Sequence, residues 1–78
     1  MNEDRYAKAL KIQRDCSAAY AQGNMNLAVS LWRKLYKLYE DTSTRGADLL
    51  EQHLVMELFT DEEVYNITDF YKKKHGYA

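Results

Sequence analysis

Proline is absent from this chain of 78 residues, and glycine occurs only at Gly23, Gly46 and Gly76. Both residue types interrupt helices, so their scarcity favours an all-α protein in which each glycine lies near a helix boundary. A single domain over residues 1–78 is the expected organisation. Because a chain of this length buries only about 60–65% of its unfolded surface, we expect a thin core.

Cysteine and long apolar runs are also scarce. Cys16 is the only cysteine, which excludes a disulfide within one chain and is typical of a reducing compartment. The first residues, MNEDRYAKAL, are charged and lack the apolar segment of a signal peptide. No apolar run approaches the roughly 20 residues that span a bilayer. The sequence therefore predicts a cytoplasmic protein with no membrane partner.

Apolar residues do recur at three- and four-residue steps on both sides of Gly23 and Asn24. This periodicity predicts one helix over residues 2–22 and a second over residues 25–41, joined as a hairpin. The apolar stripe of the first helix comprises Tyr6, Ala9, Leu10, Ile12, Cys16, Ala19 and Tyr20. That of the second helix comprises Leu27, Ala28, Leu31, Trp32, Leu35, Leu38 and Tyr39.

Two further helices are predicted after the polar stretch DTSTRG. The third covers residues 44–59, and its inward-facing residues are expected to be Ala47, Leu50, Leu54 and Leu58. The fourth begins at FTDEEV, where Thr60 and Glu63 have the spacing of a capping box and Phe59 and Val64 that of a hydrophobic staple. It ends at KKKHG, where cations suit the negative end of the helix dipole.

The four helices together predict a small all-α four-helix bundle made of two hairpins. Trp32 is the largest apolar residue of the chain, and we expect it near the centre of the core. The residues expected around it are Leu31, Leu35, Leu54, Leu58 and Ile67.

The first hairpin resembles a tetratricopeptide repeat over about residues 9–42. Ala28-x3-Trp32 matches the A-x3-F pattern of the repeat's second helix, and Gly23-Asn24 lies where its interhelical turn belongs. Upstream the chain departs from the W-x2-L-G-x2-Y pattern, with Ile12, Asp15, Cys16 and Ala19 at those positions. Glu40 replaces the terminal proline, and no second repeat follows. The resemblance implies a lone helical hairpin, of a kind that binds other proteins, and no repeat array.

Residue patterns that carry chemistry are missing from the sequence. His53 and His75 are isolated, and His53 has only Glu57 one helical turn away, with no third metal ligand at a recognisable spacing. Cys16 has no histidine at a catalytic spacing, and we expect it to be a small packing residue. A glycine-rich phosphate loop is absent. We therefore expect no enzyme, no cofactor and no metal site.

Charge is unevenly distributed along the chain, although the net charge is only −1. Seven basic and three acidic residues precede Leu38, whereas nine acidic residues and one basic residue lie between Leu38 and Tyr71. Lys72, Lys73 and Lys74 follow. This segregation favours docking of the first hairpin on the second, or of one molecule on another. Two solvated helix faces of opposite charge are an equal alternative.

A nucleic-acid-binding protein that uses the basic first hairpin and the lysine-rich tail is the alternative function. Arg5, Lys8, Lys11 and Arg14 wind around their helix, and the acidic second half disfavours nucleic acid as a partner.

Seven tyrosines in so short a chain exceed what its core is expected to bury, and tyrosine is enriched at protein interfaces. Tyrosines that rim the core with their hydroxyls in water are an equal alternative. We therefore expect a protein-interaction module, an adaptor or a small inhibitor, that binds a larger protein and that can form a homodimer. The expected contact residues are Arg33, Tyr36, Lys37, Tyr65, Tyr71, Lys72, Lys73 and Lys74.

Overall fold

The computed structural model describes residues 3–40 and 46–76, with side chains for 4–40 and 49–76. These residues form four helices: α1 (Glu3–Ala21), α2 (Met25–Glu40), α3 (Gly46–Met56) and α4 (Asp61–Lys74). The predicted all-α fold with four helices is confirmed. None of the described helices is long and apolar enough to cross a membrane.

The turn between α1 and α2 is built from Gly23 and Asn24. Gly23 has a φ of 76°, which a side chain would strain, and its N–H donates to the Tyr20 carbonyl at 3.0 Å. The Asn24 N–H donates to the Ala19 carbonyl at 2.9 Å, which completes a Schellman motif. The Asn24 side chain then accepts from the Leu27 N–H at 3.2 Å and caps α2. Two adjacent residues thus end one helix and begin the next.

Small side chains line the contact between α1 and α2, the most extensive between any two helices of the structure. Ala9, Cys16 and Ala28 are fully buried there. The Cys16 thiol donates to the Ala28 carbonyl at 3.2 Å, which shows how closely the two backbones approach. Arg5 at the start of α1 lies over the ring of Tyr39 near the end of α2. The two helices are therefore antiparallel, as a hairpin requires.

The α4 helix packs against α2 and, to a smaller extent, against α1. Arg33 contacts Tyr71, and Lys74 donates to Asn26 at 3.1 Å, so later residues of α4 lie beside earlier residues of α2. The α4 helix is thus antiparallel to α2. On its other side the Asn66 amide donates to the Tyr20 hydroxyl of α1 at 2.7 Å.

The start of α4 has the predicted capping box. The Glu63 N–H donates to the Thr60 hydroxyl at 3.1 Å, and the Thr60 N–H donates to the Glu63 carboxylate at 2.9 Å. Partial burial raises the pKa of Glu63, but hydrogen bonds from the Thr60 N–H and from the Ser17 and Thr60 hydroxyls outweigh it, so the net pKa lies below its usual value. The cap thereby also joins α4 to α1.

The predicted inward face of α3 is wrong. Leu50, Leu54 and Leu58 are 56%, 37% and 53% exposed, whereas Glu51 and Val55 are fully buried. The inward face of α3 instead carries Val55, which lies in the core cluster, and Glu51, whose carboxylate accepts from the Arg5 guanidinium of α1 at 2.7 Å. Ala47, expected inward as well, has a side chain outside the described residues.

The core is otherwise close to the predicted stripes of α1 and α2. Its buried apolar residues are Ala9, Cys16, Ala19, Ala28, Val29, Trp32, Leu35, Tyr39, Val55, Phe59 and Ile67. Trp32 is buried as expected, with Leu35 and Ile67 in the same cluster, but Leu54 and Leu58 are not among them. Leu27 was also expected in the core, but it is 46% exposed.

Candidate functional site

A cleft of about 620 Å³ opens beside α2 and is the largest described cavity of the structure. Trp32, Arg33 and Tyr36 line it from α2, and Thr68 and Tyr71 line it from α4. Its remaining walls are Tyr39, Glu40 and, from α3, Gln52. The cleft exists because α3 and α4 both pack on the first hairpin but leave α2 partly uncovered between them.

A shallower basin of about 400 Å³ adjoins the cleft and shares Arg33 and Tyr71 with it. Its other lining residues are Val29, Ser30, Lys34, Lys37, Lys74 and His75. We call the cleft and the basin together the α2–α4 surface. One part of this surface is therefore rich in aromatic rings and the other is rich in cations.

Arg33 and Tyr71 form the ridge between the two parts. The guanidinium carbon of Arg33 lies 5.0 Å from the centroid of the Tyr71 ring, and Nη1 of Arg33 donates to the Tyr71 hydroxyl. The His75 ring lies 4.4 Å from the Tyr71 ring, centroid to centroid. These contacts fix the orientation of both side chains at the point where the cleft and the basin meet.

The floor of the cleft is aromatic and rigid. Trp32 is only 5% exposed, and its ring lies 4.9 Å from that of Phe59 and 5.4 Å from that of Tyr36. Tyr36 is 44% exposed, so it offers a ring edge and a hydroxyl to a bound molecule while its other side is held by Trp32. Such a half-buried, prepositioned tyrosine loses little conformational entropy on binding.

Five of the eight contact residues expected from the sequence come together on the α2–α4 surface: Arg33, Tyr36, Lys37, Tyr71 and Lys74. Three lie elsewhere. Tyr65 is 69% exposed and lines neither the cleft nor the basin. Lys73 pairs with Asp69 at 3.1 Å, and exposed Lys72 lines neither cavity.

The α2–α4 surface also contains residues that the sequence reasoning missed, among them Lys34, Thr68, Gln52 and His75. Thr68 and His75 could have been found, since they lie three and four positions from Tyr71 and so share its helix face. Gln52 could not, because only the tertiary placement of α3 brings it to α2.

Cys16 and His53 lie outside this surface. Burial and the nearby Glu63 carboxylate raise the pKa of Cys16 to about 11, which makes the thiol unreactive near neutral pH. His53 pairs with Glu57 at 2.9 Å on the exposed side of α3. Among the residues that the structure describes, no three histidine, cysteine or acidic side chains converge to hold a metal ion.

Comparisons with protein-family models, with curated proteins and with solved structures found no match to this chain. The two residues that carry the resemblance to a tetratricopeptide repeat, Ala28 and Trp32, are both buried against neighbouring helices.

Proposed function

We propose that this chain is a non-enzymatic protein-interaction module, an adaptor or a small inhibitor, whose α2–α4 surface binds a segment of a larger protein. The observation that carries the proposal is the cleft itself, in which Arg33, Tyr36 and Tyr71 converge over the buried Trp32. Tyrosine, tryptophan and arginine are the residue types that most often dominate the energy of protein interfaces.

The shape of the surface supports a helical or extended segment as the bound element. The α2 residues that line it run from Val29 to Glu40, which corresponds to about 16 Å along the helix axis. A groove of this length between two helices suits several turns of an amphipathic helix. The resemblance of the first hairpin to a tetratricopeptide repeat supports the same interpretation.

Affinity capture from lysate of the source cells, run with and without nuclease, tests the proposal. The bait variants are Tyr36→Ser and, as a matched control, Tyr65→Ser, since both tyrosines are exposed but only Tyr36 lies in the cleft. We expect the wild type to capture one protein in a stoichiometric amount, with nuclease as well as without it. The amount captured should fall at least about tenfold with Tyr36→Ser and should be retained with Tyr65→Ser.

Two results would contradict the proposal. Capture of proteins that are lost when nuclease is added would favour the alternative function, in which cations of the first hairpin and the tail bind a polynucleotide. Equal capture by the wild type and by Tyr36→Ser would place the binding site outside the cleft.

A further inference from the structure

The basin has a uniform charge that points to the chemistry of its partner. Four of its lining residues are cations, Arg33, Lys34, Lys37 and Lys74, and none of its lining residues has a carboxylate. They come from two antiparallel helices, so their charges gather on one part of the molecule although they are separated in sequence. His75 also lines the basin and adds positive charge when protonated.

Among the described residues, no carboxylate pairs with a lysine of the basin. Lys11 pairs with Asp15 and Lys73 pairs with Asp69, each one helical turn away. By contrast, Lys74 donates to an uncharged partner, the Asn26 side-chain oxygen, at 3.1 Å. Within residues 4–40 and 49–76, no ion pair is formed by Lys34, Lys37 or Lys74.

Glu40 is the one acidic residue among the described residues that line the α2–α4 surface, and it lies in the cleft. Glu40 lines the cleft at the last residue of α2, whereas Lys34 and Lys37 line the basin one to two turns earlier. A partner that matches this layout has carboxylates over the basin and an apolar or aromatic side chain in the cleft.

We propose that the α2–α4 surface binds an acidic segment of its partner protein, with carboxylates over the basin and an apolar anchor in the cleft. This inference rests on the proposed function and specifies the partner's chemistry and direction. The acidic end of the segment lies over Lys34, Lys37 and Lys74, and the anchor contacts Tyr36 above Trp32.

The aromatic rings of the surface are arranged for an apolar anchor and not for stacked bases. Binding of single-stranded nucleic acid requires open aromatic faces. The Tyr71 ring is already covered by Arg33 and His75, and Trp32 is buried. Glu40 also repels a phosphate backbone that continues past the basin.

Titration of the isotope-labelled protein with three probes, followed by NMR, tests the inference. Two probes are synthetic amphipathic helical peptides with identical apolar residues, one with glutamate and the other with lysine at its polar positions. The third is a single-stranded oligonucleotide. We expect the glutamate peptide to shift the amide signals of Arg33, Tyr36, Lys37, Tyr71 and Lys74, and to bind the surface more tightly than either other probe.

Charge-reversal variants make the test specific. Lys34→Glu with Lys37→Glu should weaken binding of the glutamate peptide by about tenfold. Lys8→Glu with Lys72→Glu changes the net charge equally at exposed positions outside the surface and should leave binding within about twofold.

The outcomes separate this inference from the proposed function. If the lysine peptide binds the same residues as tightly as the glutamate peptide or more tightly, the inference of an acidic partner segment is overturned, but the surface remains a binding site. Tighter binding of the oligonucleotide overturns the inference in favour of nucleic acid. A glutamate peptide that shifts none of these signals also overturns it, while the capture result with Tyr36→Ser still decides the proposed function.

Discussion

Glu51 and Arg5 are 46 positions apart in the chain and form a buried ion pair between α3 and α1. Oε2 of Glu51 lies 2.7 Å from Nε and 2.6 Å from Nη2 of Arg5, and the side chains are 0% and 15% exposed. Burial, together with the adjacent Glu51 carboxylate, raises the pKa of Tyr39 to about 12. The three side chains close the open end of the first hairpin.

Removal of Glu51 should therefore be costly. Glu51→Ala leaves the Arg5 charge without its partner and should lower the free energy of unfolding by about 3–5 kcal/mol, measured by urea denaturation. The double variant Arg5→Met with Glu51→Leu fills the same space without charge and should be clearly more stable than Glu51→Ala. A double variant as unstable as the sum of the two single-variant effects would show that Arg5 and Glu51 do not interact, and would contradict this account.

At the scale of the helix, the α4 cap links stability to pH. The pKa of Glu63 is lowered in the folded state, so its contribution is present above the ordinary value of 4.5 and is lost as pH falls through the folded value. We expect Glu63→Gln to flatten the loss of stability on acidification, measured by urea denaturation over a pH series. Thr60→Ala should cost about 1 kcal/mol at neutral pH. If the free energy of unfolding falls as steeply on acidification in Glu63→Gln as in the wild type, Glu63 does not link stability to pH.

The α3 helix gives a matched pair of substitutions. Val55→Ala removes buried apolar atoms and leaves a cavity, so it should lower the free energy of unfolding by about 2 kcal/mol. Leu50→Ala shortens a side chain that is 56% exposed and should change the free energy of unfolding by less than about 0.5 kcal/mol. Thermal or urea unfolding measures both, and the reverse order would contradict the observed rotation of α3.

These elements also show what the sequence could predict. Signals local to each helix predicted the turn at Gly23, the cap at Thr60 and the stripes of α1 and α2, because those features depend on neighbours within a few residues. The face of α3 depends on Arg5, which is distant in sequence, so four-residue leucine spacing gave the wrong answer. The clustering of Arg33 with Tyr71 depends in the same way on helix packing.

At the scale of the whole molecule, the segregation of charge along the chain becomes spatial. Cations from α2 and from the end of α4 gather in the basin, whereas the buried Glu51 and the capping residue Glu63 are used inside the fold. Two residues of the acidic half thus form contacts within the fold, whereas the basin cations lie on the surface, where we propose that a partner binds.

Self-association, which the composition predicts, remains a prediction at this scale. Sedimentation velocity over a range of micromolar concentrations tests it, with a mass that rises toward the dimer as the expected result. A monomer at every concentration would contradict the predicted homodimer. Binding to a different protein would then be the remaining expectation.

The central claim is that the α2–α4 surface is the part of the molecule that a partner covers. Hydrogen–deuterium exchange of the protein alone and in complex with the captured partner tests this claim most directly. We expect slower exchange across residues 29–40 and 68–76 in the complex, with no change over the exposed leucines of residues 49–58. Slower exchange over residues 49–58, with no change over α2 and α4, would contradict the claim and place the interface on α3.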